Sequence, residues 1–146
     1  MSNAFISLFC FLKEPLSFST ISIAYGGGTF VSVGSNGGIE SSPDAINWSN
    51  CVSGTTSALT SVAYGNGVFV AVGWGVMLFS EDGLVWRVLA NSGIPSILSA
   101  VEYGNGRFVA VGGSGISING GGTVLSSPDG ESNQQKTPDF SGVFSF

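Results

Sequence analysis

The chain contains no histidine in its 146 residues. That removes the commonest general base, the commonest zinc ligand and the usual physiological pH switch. Basic residues are almost as scarce: Lys13, Arg87, Arg107 and Lys136 stand against nine acidic side chains, for a net charge of −5. Phosphate neutralisation needs a cluster of cations, so no nucleic acid is expected as a partner. Charged residues make up only 9 % and apolar residues 43 %, the reverse of a disordered composition. No apolar run approaches the roughly 18 residues of a membrane-spanning helix, so no membrane span is indicated. Cys10 and Cys51 are the two cysteines; they permit at most one internal disulfide, lie at neither metal-type nor redox-type spacing, and leave the compartment open, with a lean toward export. Neither a metal nor a cofactor is expected.

What the sequence does have is glycine, 23 residues of it, and a phrase written three times. Ser22 to Gly34, Ser61 to Gly73 and Ala100 to Gly112 share the pattern Tyr-Gly-x-Gly-x-Phe-Val-x-Val-Gly, and Tyr25, Tyr64 and Tyr103 are 39 residues apart. A fixed period near 40 with short β-like runs marks a repeat architecture. The middle copy predicts strands over 59–64, 68–72, 76–80 and 84–89, joined by short turns, of which Gly65-Asn66-Gly67 is the strongest hairpin signal. The first copy predicts strands over 20–25, 29–33, 38–42 and 47–52. The runs Phe69 to Val72 and Phe108 to Val111 are apolar at every position instead of alternating. Strands of that kind are covered on both faces, as in small sheets stacked face to face around an axis.

The expected domain is therefore a single one, 1–146, with units near 20–58, 59–97 and 98–146. The third unit carries a Gly-rich insertion at 112–122, and Asn133 stands where the middle unit has Trp86. Counting back from Tyr25 by the 16 residues that separate Trp48 from Tyr64, or the 17 that separate Trp86 from Tyr103, lands on Phe9 or Leu8. Residues 5–12 are accordingly expected to supply a strand that completes the last unit, while 140–146 is either a late replacement strand or a mobile end.

Ser80-Glu-Asp-Gly-Leu-Val-Trp86 resembles the Asp-box of sialidase-type β-propellers, the BNR repeats. Ser42-Pro-Asp-Ala-Ile-Asn-Trp48 and Ser127-Pro-Asp-Gly130 match in part. The departures are one residue fewer between Asp and Gly, Ala45 in place of Gly in the first copy, and no Trp in the third. The resemblance implies an all-β fold of propeller blades, each with four strands and its box between the third and fourth. Three units are few for a closed propeller of four to eight blades. The chain is then part of a longer one, or two copies close a six-bladed ring, or the fold is a β-trefoil.

Asp44, Asp82 and Asp129 are expected to stabilise turns rather than to act as catalytic acids, because equivalent positions in successive blades are spread around a ring. The resemblance raises sialidase chemistry, but only Arg87 and Arg107 are available for the arginine cluster that chemistry uses. Tyr25, Tyr64 and Tyr103 recur in every unit and so are expected in the core rather than in catalysis. The 112–122 loop lacks the Lys-Ser/Thr ending of a phosphate cradle and is expected to carry partner contacts instead. The candidate ligand-binding set is Trp74, Arg107, Ser114 and Asn119. The function expected is a non-catalytic binding or scaffold module for a protein or glycan, self-associating or part of a longer chain. The alternatives are a fragment of a sialidase-like hydrolase, and an assembly factor of the kind that some Asp-box proteins of photosynthetic organisms resemble.

Overall fold

The computed structural model describes residues 10–12, 18–89, 97–113, 122–126 and 142–145. Its described elements are strands and one short 3-10 turn, Ser35–Gly37. The strands are β1 (Cys10–Leu12), β2 (Thr20–Gly26), β3 (Thr29–Gly34), β4 (Ile39–Ser42), β5 (Ser49–Cys51), β6 (Leu59–Gly65), β7 (Val68–Gly73), β8 (Met77–Ser80), β9 (Arg87–Val88), β10 (Leu98–Gly104), β11 (Arg107–Gly113), β12 (Gly122–Ser126) and β13 (Gly142–Ser145). They form three antiparallel sheets in the orders β1-β5-β4-β3-β2, β6-β7-β8-β9 and β10-β11-β12-β13. Each repeat closes its own sheet, as a blade does; a trefoil would pool strands from all three units in one barrel.

The recurring phrase can be read mechanically, one residue at a time. Tyr and Phe face each other across the first hairpin, with ring centroids 4.4 Å apart for Tyr25–Phe30, 4.6 Å for Tyr64–Phe69 and 4.8 Å for Tyr103–Phe108. Between them, Asn66 and Gly67 have φ of 48° and 78°, and Asn105 and Gly106 have 48° and 76°. Two successive positive φ values give the primed turn that matches strand twist. The closing glycines, Gly34, Gly73 and Gly112, leave room for the carbonyl oxygens of Ser19, Ala58 and Ile97, which a Cβ would strike. The amides that follow use that approach: Ser35, Trp74 and Gly113 each donate to one of those carbonyls at 3.0 Å.

Stacking of the sheets produces two cores. Val31, Val33 and Ile39 of the first sheet meet Val62, Phe69, Ala71, Leu78 and Trp86 of the second. The opposite face of the second sheet, with Val68, Val70, Val72 and Met77, meets Leu98, Val101, Phe108 and Ala110 of the third. Each such side chain contributes on the order of 1.5–3 kcal/mol by leaving water. The tyrosines fasten the seams. Tyr64 lies on Gly26 of the preceding sheet and Tyr103 on Gly65, so closely that a methyl at either glycine would overlap the ring. Hydroxyls reinforce them. The Val62 N–H donates to Ser22 Oγ at 3.2 Å and the Val101 N–H to Ser61 Oγ at 3.1 Å, and Thr60 Oγ1 donates to the Leu98 carbonyl at 2.6 Å.

Four expectations are corrected. First, β1 pairs with β5, Cys10 opposite Cys51, and extends the first sheet instead of completing the last one. The outer place in the third sheet is taken by β13, which pairs with β12, so β12 has no free edge to offer residues 10–12. Residues 5–9 lie outside the described residues. Cys51 is disulfide-bonded.

Second, the fourth strands are shorter than expected, β5 spanning three residues and β9 two. The Asp side chain captures the amides that would have begun the ladder, as described below. Third, Phe108 to Val111 is not covered on both faces: Val109 and Val111 are 37 % and 40 % exposed, whereas every residue of β7 is buried. The described residues place no sheet on that side of β11. Fourth, Tyr25 is exposed rather than core, at 59 %, because no sheet with a matching glycine precedes it among the described residues.

Candidate functional site

Each sheet has two ends of different character. One end holds the hairpins between its first two strands and the Asp-containing turns after β4 and β8. The other holds the turns after β3 and β7 and the connections between sheets.

At the first end, the Asp turns are tightly self-bonded. Asp44 Oδ1 accepts the amides of Ile46 at 2.9 Å and Asn47 at 2.7 Å and the Ser42 hydroxyl at 3.0 Å. Its Oδ2 accepts Asn47 Nδ2 at 2.7 Å. Asp82 Oδ1 likewise accepts the amides of Leu84 at 2.8 Å and Val85 at 2.9 Å, and the Ser80 hydroxyl at 3.1 Å. Trp48 and Trp86 close their turns by donating Nε1–H to the carbonyls of Ala45 at 3.1 Å and Gly83 at 3.2 Å. The backbone and side-chain amides of Asn47, followed by the Ile46 amide, hold the Asp44 carboxyl well below the usual carboxylate range. A carboxylate so engaged is a turn fastener and has little basicity to offer a reaction. Asp129 lies outside the described residues.

At the other end, the first sheet forms an open groove of about 700 Å³ lined by Phe18, residues 36–39 and residues 50–56. It is built from connections. Asn36, Gly37 and Gly54 have φ of 56°, 68° and 77°, which turns the backbone so that peptide groups line the wall. Ser53 Oγ accepts the Thr55 amide at 3.3 Å and donates to the Thr55 carbonyl at 3.1 Å, which fixes the far side. The side chains that line it are amides and hydroxyls, from Asn36, Asn50, Ser53, Thr55 and Thr56, with Phe18, Ile39 and Val52 as the apolar part. None carries a charge. Such a lining suits an uncharged ligand rich in hydrogen-bonding groups, with one or two apolar groups to bury.

Trp74 lies at the same end as this groove, in the turn after β7, and is 57 % exposed. Arg107 begins β11 and is exposed, so it lies at the hairpin end. The structure therefore separates these two members of the expected ligand-binding set. Ser114 and Asn119 lie outside the described residues. Sequence reasoning missed Phe18, Asn36 and Asn50. The signal available was Ser35-Asn36-Gly37-Gly38, a turn pattern whose asparagine tolerates positive φ. Among the described residues no three His, Cys, Asp or Glu side chains are grouped to hold a metal ion, and no helix is long and apolar enough to cross a membrane.

The antiparallel sheets, one per repeat and stacked face to face in sequence order, define the class: the chain is all-β, built of β-propeller blades. Solved structures agree. A structure described as YCF48 bound to D1 peptide matches with a TM-score of 0.61 and 18 % identity over 81 % of this chain. One described as YCF48 from Cyanidioschyzon merolae matches with a TM-score of 0.57 and 18 % identity over 77 %. The chain spans 40 % and 35 % of those two chains. No protein-family model matches the sequence, and no curated protein does.

Proposed function

We propose that this chain is a non-catalytic propeller module that binds a protein partner through an extended, uncharged peptide segment at the groove end of its blades. The uncharged groove of peptide groups, amides and hydroxyls beneath Phe18 and Val52 carries this reading. Backbone recognition with a small apolar pocket is a recurrent mode of peptide capture. One of the similar structures is described as holding a peptide, which supports the reading. Trp74 would extend the surface; Arg107 belongs to a separate face.

Relatedness to Asp-box repeats is part of the proposal and rests on the turns of Asp44 and Asp82. Against the sialidase alternative stand the exposed Arg87 and Arg107, placed on different sheets, and the engaged carboxyl of Asp44. An assembly-factor role would use the same peptide surface. A glycan is the second ligand class, favoured by the exposed indole of Trp74.

Selection from a random-peptide phage library, in parallel with a glycan array, tests the reading. Uncharged, apolar-anchored peptides are expected, with binding reduced at least tenfold by Val52→Arg or Thr56→Lys at exposed positions of the groove. Glycan retention without peptide binding, or peptides indifferent to both substitutions, would contradict it.

A further inference from the structure

The three-sheet stack has two ends, and they are complementary. At one, the inner strand β2 presents Ile21, Ile23 and Tyr25, which are 53 %, 56 % and 59 % exposed. Ile23 and Tyr25 occupy the positions of Val62 and Tyr64, which in the second sheet pack on the first. At the other end, β11 exposes Val109 and Val111, and among the described residues Gly104 has nothing within 4 Å of where its Cβ would lie. Gly104 is the counterpart of Gly26 and Gly65, each of which is covered by a tyrosine of the next sheet. One end therefore bears a tyrosine without a glycine seat, and the other a glycine seat without a tyrosine.

We infer that the occupant of both ends is a second copy of this chain, with Tyr25 of each copy seated on Gly104 of the other. The contact continues the two internal seams, which supply its geometry. Because Tyr25 of each copy meets Gly104 of the other, the pair has two-fold symmetry and closes a ring of six blades, within the four to eight that closed propellers use. This deepens the self-association reading, and it rests on the sheet stack and not on the peptide groove.

The new seam differs from the internal ones in two ways. Ala100 stands where Ser22 and Ser61 provide a hydroxyl to the next sheet. Glu102 stands where the inner strands have Ala24 and Ala63, so a carboxylate lies against the apolar Ile23. Both differences weaken the joint relative to the internal seams, so dimer and monomer should exchange with concentration.

Three single substitutions test the inference, because all fall on the open face. Sedimentation equilibrium of the full chain from about 1 to about 100 µM should show two-chain mass rising with concentration. Gly104→Val should leave a monomer with unchanged circular dichroism and peptide binding. Ala100→Ser supplies the missing hydroxyl at both joints and should tighten the dimer by about 5- to 150-fold, the worth of two hydrogen bonds. Glu102→Ala should tighten it further. A single-chain mass at every concentration overturns the inference, and so does a dimer that ignores both Gly104→Val and Ala100→Ser. A monomeric Gly104→Val protein that has lost no peptide binding separates this joint from the groove.

Discussion

β7 and β11 carry nearly the same residues and live in different surroundings. Phe69-Val70-Ala71-Val72 is buried at every position. Phe108-Val109-Ala110-Val111 alternates, with Phe108 and Ala110 buried and the two valines exposed. The local fold is the same, as are the Tyr–Phe pairing and the register of the hairpin. What differs is the neighbour: β7 lies between two sheets and β11 beside one. An all-apolar strand thus declares a capacity to be covered on both faces, and whether it is covered depends on what stacks beyond it.

The comparison breaks most sharply at the paired valines. Val70 is fully buried, so Val70→Asp should cost more than about 4 kcal/mol, the range for an unpaired buried charge, and prevent folding. Val109→Asp, measured in urea at a concentration low enough to hold the chain monomeric, should cost under about 1 kcal/mol. Equal costs would mean that the third sheet is covered too. Next come the glycine seats. Gly65→Ala forces the Tyr103 ring from its place and should lower stability by about 1–3 kcal/mol. Gly104→Ala should change it by less than about 0.5 kcal/mol.

The two Asp turns offer a smaller contrast. Gly83 has φ 77°, and a Cβ there would lie 2.8 Å from Val31 Cγ2; Ala45 occupies the equivalent position at φ 60°. Gly83→Ala should cost about 1–2 kcal/mol and Ala45→Gly should gain up to about 1 kcal/mol, read as shifts in thermal midpoint. The smallest effect is acid dependence. The folded-state Asp44 carboxyl titrates below its unfolded value of about 3.9. Its contribution is therefore present above about pH 4 and is lost as the pH falls toward its folded value. Asp44→Asn should flatten the fall in urea midpoint between about pH 5 and pH 2; an unchanged slope would assign the fall to other carboxyls.

Much of this fold is legible because the phrase states its own mechanics. Asn-Gly dictates the turn, Tyr and Phe the hairpin pair, and the valines the seams. The Asp turns are legible for the same local reason. Less visible was the length of the fourth strands: Leu84 and Val85 read as strand, but their amides answer to Asp82. The placement of β1 was not visible, since counting residues identifies an outer strand without saying which sheet offers it an edge. The groove was hidden because it is built from connections rather than from the repeated strands. Its walls depend on the conformation at Asn36 and Gly54, which periodicity does not record. Trp74 and Arg107 stand in one expected ligand-binding set, and only the antiparallel order of strands sends them to opposite ends.

The seating of each tyrosine on the glycine of the preceding sheet is most directly tested by the ring-current shifts of the glycine Hα protons in solution. Gly26 and Gly65 should resonate upfield, Gly26 returning to an ordinary position in Tyr64→Leu and Gly65 in Tyr103→Leu, each without affecting the other. Glycine resonances that ignore both substitutions, or that answer to the tyrosine of their own hairpin, would contradict the stacking of equivalent sheets.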